Sequence, residues 1–101
     1  MNILLVCSAG MSTSFVVKRM RAAAKEMKEN HTIWALSIDE ASEDFDKADV
    51  ILIGPQIRYA LDEIKAQSNK PTEVIDRTNY GLGKGKEVLE QAKNLYEGGN
   101  Q

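Results

Sequence analysis

Cys7-Ser8-Ala9-Gly10-Met11-Ser12-Thr13-Ser14 stands between two stretches of different character. Before it, Asn2-Ile3-Leu4-Leu5-Val6 is apolar without alternation, the pattern of a strand covered on both faces. After it, apolar residues recur at helical spacing from about Ser12 to Glu29: Met11, Phe15, Val16, Met20, Ala23, Ala24 and Met27. These are expected to face a sheet, with Lys18, Arg19, Arg21, Lys25 and Lys28 on a solvated face. The one cysteine of the chain therefore falls where a strand ends and a helix begins. Gly10 lets the turn between them take positive φ. The first turn of a helix has backbone N–H groups without intrahelical partners and carries partial positive charge. Such an end binds phosphate and also stabilises a thiolate. One loop can thus activate a sulfur nucleophile and hold a phosphoryl group placed on it. A lone cysteine in an ordinary strand mostly just packs. Here the neighbours Ser8, Gly10, Ser12, Thr13 and Ser14 are polar or small, which disfavours that reading.

The 101 residues suit one domain spanning 1–101. Thirteen basic and 15 acidic residues, with a formal net charge of -2, argue against a nucleic-acid footprint. One cysteine rules out an intramolecular disulfide framework and fits a reducing compartment. The run from Ile3 to Val6 has no basic stretch before it and is too short for a signal peptide or a membrane span. A cytoplasmic chain is expected.

Along the chain, Asn30-His31 reads as a turn, with His31 a surface residue remote from Cys7. Thr32 to Ile38 alternates more and reads as an edge strand, with Trp34 a core residue. Asp39 to Lys47 is acidic and lacks the oxygen spacing of a calcium loop; a short solvated helix or turn is expected. Asp49 to Gly54 is a second buried strand, ended by Gly54-Pro55-Gln56. A helix then presents Ile57, Ala60, Leu61 and Ile64, and Asn69-Lys70-Pro71 closes it. Thr72 to Asp76, with Glu73 inside, reads as the other edge strand. Asp76 to Gly85 reads as a loop holding Tyr80, Gly81, Gly83 and Gly85, without a completed nucleotide-binding pattern. The last helix, about Lys84 to Tyr96, is expected to bury Val88, Leu89, Ala92, Leu95 and Tyr96. The Gly98–Gln101 tail is expected to fray.

Strands alternating with helices imply an α/β fold: an open, four-stranded parallel sheet with right-handed crossovers and helices on both faces. The two most apolar strands belong in the centre, which sets the order 2-1-3-4. Winding reverses between strands 1 and 3, and ligand sites in such sheets lie beyond the strand ends at that switch point. The Cys7–Ser14 loop meets Gly54-Pro55-Gln56 there, with the stretch from Asp76 to Tyr80 at the same end.

Low-molecular-weight tyrosine phosphatases share this arrangement. They place an arginine six residues after the nucleophilic cysteine and a serine next. Here Thr13 takes the first position and Ser14 the second, so the guanidinium clamp on the phosphoryl oxygens is missing. No Asp-Pro general-acid loop is evident either. The chain more closely resembles the enzyme IIB component of the sugar phosphotransferase system, of the lactose, cellobiose and diacetylchitobiose type. The resemblance rests on Leu4–Ser14, on Ala48–Ile57, on Lys70-Pro71 leading to Val74-Ile75-Asp76, and on Tyr80-Gly81.

That resemblance implies a relay. A phosphohistidine on enzyme IIA donates to Cys7, and phospho-Cys7 passes the group to a β-linked disaccharide held by the membrane permease IIC. Ser8, Ala9, Gly10, Met11, Ser12, Thr13 and Ser14 are expected to hold the phosphoryl oxygens, through amides and the hydroxyls of Ser12, Thr13 and Ser14. Pro55, Gln56 and Tyr80 are expected to face the partners. No metal, cofactor or nucleotide is called for, and a monomer visiting the inner face of the membrane is expected. Lacking the arginine clamp and the general acid suits an intermediate that must survive in water.

Overall fold

A computed structural model describes residues 1–8 and 11–98, with the side chains of 11–13 left aside. Four parallel strands form one sheet in the order β2-β1-β3-β4, with β1 Asn2–Cys7, β2 Thr32–Ser37, β3 Val50–Ile53 and β4 Thr72–Val74. The expected order and the two central strands are found. Leu5 lies opposite Ala35 on one side and Leu52 on the other, so every β1 side chain from Ile3 to Cys7 is buried.

The two faces of the sheet carry separate cores. Ile3, Leu5, Val50 and Leu52 pack against Val16, Val17 and Met20 of helix α1 (Met11–Glu26) and Val88, Leu89 and Ala92 of helix α4 (Gly85–Gly98). Leu4, Val6, Ile51 and Ile53 pack against Ala41 and Phe45 of the 3₁₀ helix Ala41–Lys47, Ile57 and Ala60 of the 3₁₀ helix Pro55–Ala60, and Ile64 of helix α2 (Leu61–Ser68). The acidic segment after β2 is therefore not fully solvated: its two apolar side chains close one face of the sheet.

Several boundaries shift for local reasons. Helix α1 stops at Glu26 because Lys28 takes a left-handed φ of 58°. Lys28 N–H then donates to the Lys25 carbonyl at 3.0 Å and Glu29 N–H to that of Ala24 at 2.9 Å, the paired bonds of a Schellman ending. Asn69, with φ 56°, ends α2 where the Asn-Lys-Pro signal was expected to close it. The segment after β4 contains a short helix, α3 (Arg77–Gly81), and is not a continuous loop. Asp76 caps it by accepting from the Asn79 N–H at 2.9 Å.

Four side chains sit differently from expectation. Phe15 is 49 % exposed because its ring turns away from the sheet onto Gly83, with the Arg19 guanidinium 4.6 Å from the ring centre. Tyr96 is half-exposed near the end of α4. Trp34 is only half-buried, its indole N–H donating to Asp44 at 2.9 Å. Arg21 lies along the free edge of β2 and donates to the Ile33 carbonyl from Nε at 2.9 Å and from Nη2. A cation laid on an edge strand blocks further pairing there. Among the described residues, no helix is long and apolar enough to cross a membrane.

Candidate functional site

Cys7 is the last residue of β1, one position further into the strand than expected. Its partner in the register is Ser37, and Ile38 N–H donates to the Cys7 carbonyl at 2.8 Å. The side chain is 2 % exposed, and its Sγ lies 3.6 Å from the Leu36 carbonyl oxygen. Backbone pairing on both sides of β1 fixes the sulfur at the carboxyl end of the sheet. The chain then returns as α1 from Met11, four positions later. That helix leads with no acidic side chain in its first turn, so nothing there neutralises the positive end of its dipole.

Of the expected phosphate-holding residues, Ser8 is exposed directly after Cys7, and Ser14 is exposed in the first turn of α1. Met11, Ser12 and Thr13 contribute backbone to that turn. Ala9 and Gly10 lie outside the described residues. Ser14 also lines a groove between α1 and β2, with Lys18, Arg21 and Trp34.

The neighbouring strand brings a second loop to the same place. Gly54 N–H donates to the Val6 carbonyl at 2.9 Å, so Pro55 and Gln56 leave the sheet beside the residue before Cys7. A Cβ on Gly54 would stand 3.1 Å from Gln56 Oε1, 3.5 Å from the Val6 oxygen and 3.9 Å from the Tyr80 hydroxyl. The structure thus brings together Cys7, Ser8, Gln56 and the Tyr80 hydroxyl, with Pro55 alongside. Tyr80 is more deeply placed than a partner-facing residue was expected to be. It is 8 % exposed, and its ring belongs to the core under α1 and α4. Only the hydroxyl end reaches the crevice. α3 places it there, and the sequence carries no apolar periodicity long enough to reveal a five-residue helix.

Arg77 was not singled out from the sequence. It is exposed at the start of α3 and lines a cleft with Pro55, Gln56, Tyr80 and Gly81. The sole signal for it is its place directly after the fourth strand. Of the glycines after Tyr80, Gly83 and Gly85 serve packing. A Cβ on Gly83, whose φ is 64°, would stand 2.2 Å from the Phe15 ring, and one on Gly85 would stand 2.3 Å from the Arg19 carbonyl carbon. Both hold the start of α4 against α1. His31 is not a loose surface residue. Its ring lies between the Met1 nitrogen, 3.1 Å from Nδ1, and Glu29, 2.8 Å from Nε2. It sits at the opposite end of the sheet from Cys7, as expected from parallel strands.

A cysteine at a strand terminus, four positions before a helix begins and at the switch point between β1 and β3, lies where open sheets of this kind place their ligand sites. Known proteins share both sequence and shape. The family model described as "PTS system, Lactose/Cellobiose specific IIB subunit" matches residues 2–91. An oligo-beta-mannoside-specific EIIB component of Bacillus subtilis is 45 % identical over 97 residues, covering 93 % of this chain and 94 % of that protein. A cellobiose-specific EIIB component of Lactococcus lactis is 40 % identical over 101 residues, covering 92 % and 94 %. The solution structure of a cellobiose-specific IIB component from Borrelia burgdorferi superposes with a TM-score of 0.82 at 42 % identity, covering 97 % of this chain and 93 % of that one. The lactose-specific IIB domain from Streptococcus pneumoniae shares the fold, with a TM-score of 0.85 at 15 % identity over 95 % and 97 % of the two chains. The chain belongs to the lactose/cellobiose-specific IIB family, the phosphotransferase components of the sugar phosphotransferase system.

Proposed function

We propose that this chain carries a phosphoryl group on Cys7, between a phosphohistidine of enzyme IIA and a β-linked disaccharide bound by the membrane permease IIC. The observation that carries the reading is the position of Cys7, at the carboxyl end of the central strand and immediately before the start of α1. In the first step the Cys7 thiolate attacks phosphorus. The S–P bond forms, the N–P bond breaks, and its electron pair returns to the imidazole nitrogen of the donor. In the second step a sugar hydroxyl attacks the same phosphorus. The O–P bond forms, the S–P bond breaks, the thiolate leaves, and the hydroxyl proton is released to solvent. Each step is largely positioning and charge stabilisation. The backbone N–H groups of Ser8 through Ser14 hold the phosphoryl oxygens, with the Ser12, Thr13 and Ser14 hydroxyls as further donors. Pro55, Gln56 and the Tyr80 hydroxyl line the approach for both partners.

The β-linked acceptor is supported by relatives named for oligo-beta-mannosides and cellobiose. The protein works as a single unit in the cytoplasm and meets the permease at the inner membrane face.

The test is incubation with phosphorylated IIA followed by intact-mass measurement. The parent gains one phosphoryl group, stable to hydroxylamine-free neutral buffer, and loses it when permease membranes and sugar are added. Cys7→Ser keeps its circular dichroism spectrum and gains nothing, because a hydroxyl yields far less nucleophilic anion than a thiol. A folded Cys7→Ser protein that still relays phosphate would overturn the assignment.

A further inference from the structure

Gln56 and Arg77 open onto one cleft at the carboxyl end of β3 and β4. The cleft has a volume of about 350 Å³, and Pro55, Tyr80 and Gly81 complete its walls. Among the described residues, neither the Gln56 amide nor the Arg77 guanidinium has a hydrogen-bond or ion-pair partner for its side chain. Two side chains of the same kinds are occupied. Gln91 accepts from Asp76 N–H and donates to Glu73 and the Val74 carbonyl, and Arg21 donates to the Ile33 carbonyl.

The cleft adjoins the strand that carries the nucleophile. Gly54 binds Val6 through its N–H, and the Gln56 amide and Tyr80 hydroxyl gather over Gly54. Residues 7–14 contain no cation. Around them the charge is uneven: Asp39, Glu40 and Glu43 follow β2, Arg58 follows β3, and Asp76 and Arg77 follow β4, with the Asp76 carboxylate turned to the Asn79 N–H.

We propose that Arg77, with Gln56 beside it, is a positioning residue that selects the phosphorylated form of the donor protein. The proposal rests on the relay reading above. A phosphoryl group brings about −1.5 to −2 charges at neutral pH. The donor carries that charge on arrival and has lost it on departure, and the sugar acceptor arrives neutral and leaves with the phosphoryl group. A cation in the cleft that adjoins the Cys7 strand therefore strengthens the incoming complex and not the outgoing one. It does so without entering the Cys7 loop, where a guanidinium clamp would favour hydrolysis. Attraction of this kind acts mainly on encounter and weakens as salt screens it.

The experiment measures Cys7 phosphorylation by phosphorylated IIA across a range of salt concentrations, with binding of both IIA forms measured in parallel. Cys7→Ser is used for the phosphorylated form, so that transfer does not intervene. Arg77→Gln is expected to lower kcat/KM by about tenfold at low salt, through KM, with kcat held. Its rate becomes nearly independent of salt, and Arg77→Lys recovers most of the loss. Binding of unphosphorylated IIA does not change. Lys65→Gln, the same loss of charge in the last turn of α2 beside the start of β4, leaves every reading at the parent value.

Arg77→Gln matching the parent at all salt concentrations overturns the proposal. So does an equal loss of affinity for both IIA forms, which would mark an ordinary contact, or a loss confined to transfer onto sugar, which would assign the cleft to the permease. A parent chain that takes no phosphoryl group from IIA is a different result, and it removes the relay itself.

Discussion

The two ends of the parallel sheet are finished differently. At the amino end, neighbouring segments are stitched together. Asn2 N–H donates to Asp49 at 2.7 Å, its side-chain amide donates to the Lys47 carbonyl at 2.9 Å, and Thr72 donates to the Lys70 carbonyl at 2.8 Å. His31, Glu29 and Lys93 form a chain of contacts from the start of β1 across to α4. At the carboxyl end, a strand terminus carries the sulfur, and Gln56 and Arg77 face an open cleft. One end spends its polar groups on holding distant segments together. The other leaves some of them for molecules that arrive and depart. Polar groups satisfied inside the chain add stability but cannot also recognise a partner.

The sharpest way to break this division is to loosen the carboxyl half from within. A Cβ at residue 85 would stand 2.3 to 2.4 Å from the Arg19 carbonyl group, which is backbone and cannot rotate away. Gly85→Ala is therefore expected to push α4 off α1 and to destabilise the fold by about 3 kcal/mol, at the upper end of overpacking costs. Urea unfolding measures it, and a loss under about 1 kcal/mol would mean that the two helices separate easily.

A smaller effect is expected at Gly83, where the obstacle is a side chain. Gly83→Ala meets the Phe15 ring at 2.2 Å and must also hold a φ of 64°. A cost of about 1–3 kcal/mol is expected, of which only the backbone part survives in a Phe15→Ala background. Phe15 stands in the first turns of α1, so displacing its ring is also expected to slow phosphoryl acceptance. Equal costs of Gly83→Ala with and without Phe15 would show that the ring is not what the glycine accommodates.

These glycines mark where reading the sequence stopped. The runs Ile3–Val6 and Val50–Ile53 identify the central strands because continuous burial leaves a local pattern. The cysteine at the strand–helix junction was legible for the same reason: strand, turn and helix are adjacent in the chain. Gly83 and Gly85 are required by residues more than 60 positions away, and nothing in their own neighbourhood says so. Phe15 fits the helical apolar pattern yet turns outward, because a glycine turn offers it a closer partner than the sheet. His31 read as exposed because the Glu29 carboxylate and the Met1 backbone nitrogen, which enclose it, are polar groups that leave no hydrophobic signature. Arg77 carries no mark beyond its place after a strand; its relation to Gln56 appears only once β3 and β4 are side by side.

The smallest effect belongs to the amino end, and it separates stability from function. The Lys93 ammonium, and after it His31, hydrogen-bond to Glu29 and hold its carboxyl below the usual value. The same pairing with Glu29 raises Lys93. A depressed carboxyl contributes stability above its unfolded pKa and loses it as pH falls below about 4.5 toward the folded value. The raised lysine contributes below about 10.5 and loses it as pH climbs through the folded value. Glu29→Gln removes the first dependence and weakens the second, because Glu90 and Glu97 also raise Lys93. The variant is expected to melt slightly lower near neutral pH, because a partly exposed pair contributes little, and to show a shallower loss of melting temperature on both flanks. Some acid sensitivity remains, since Lys47 and Trp34 likewise hold Asp44 below its usual value. Phosphoryl acceptance by Cys7 is expected to match the parent, because no part of this network reaches the carboxyl end. Melting curves across pH, set beside the acceptance rate at neutral pH, decide the matter. An acid flank as steep as the parent's would remove Glu29 from the account of stability, and a slowed acceptance rate would show that the two ends are coupled after all.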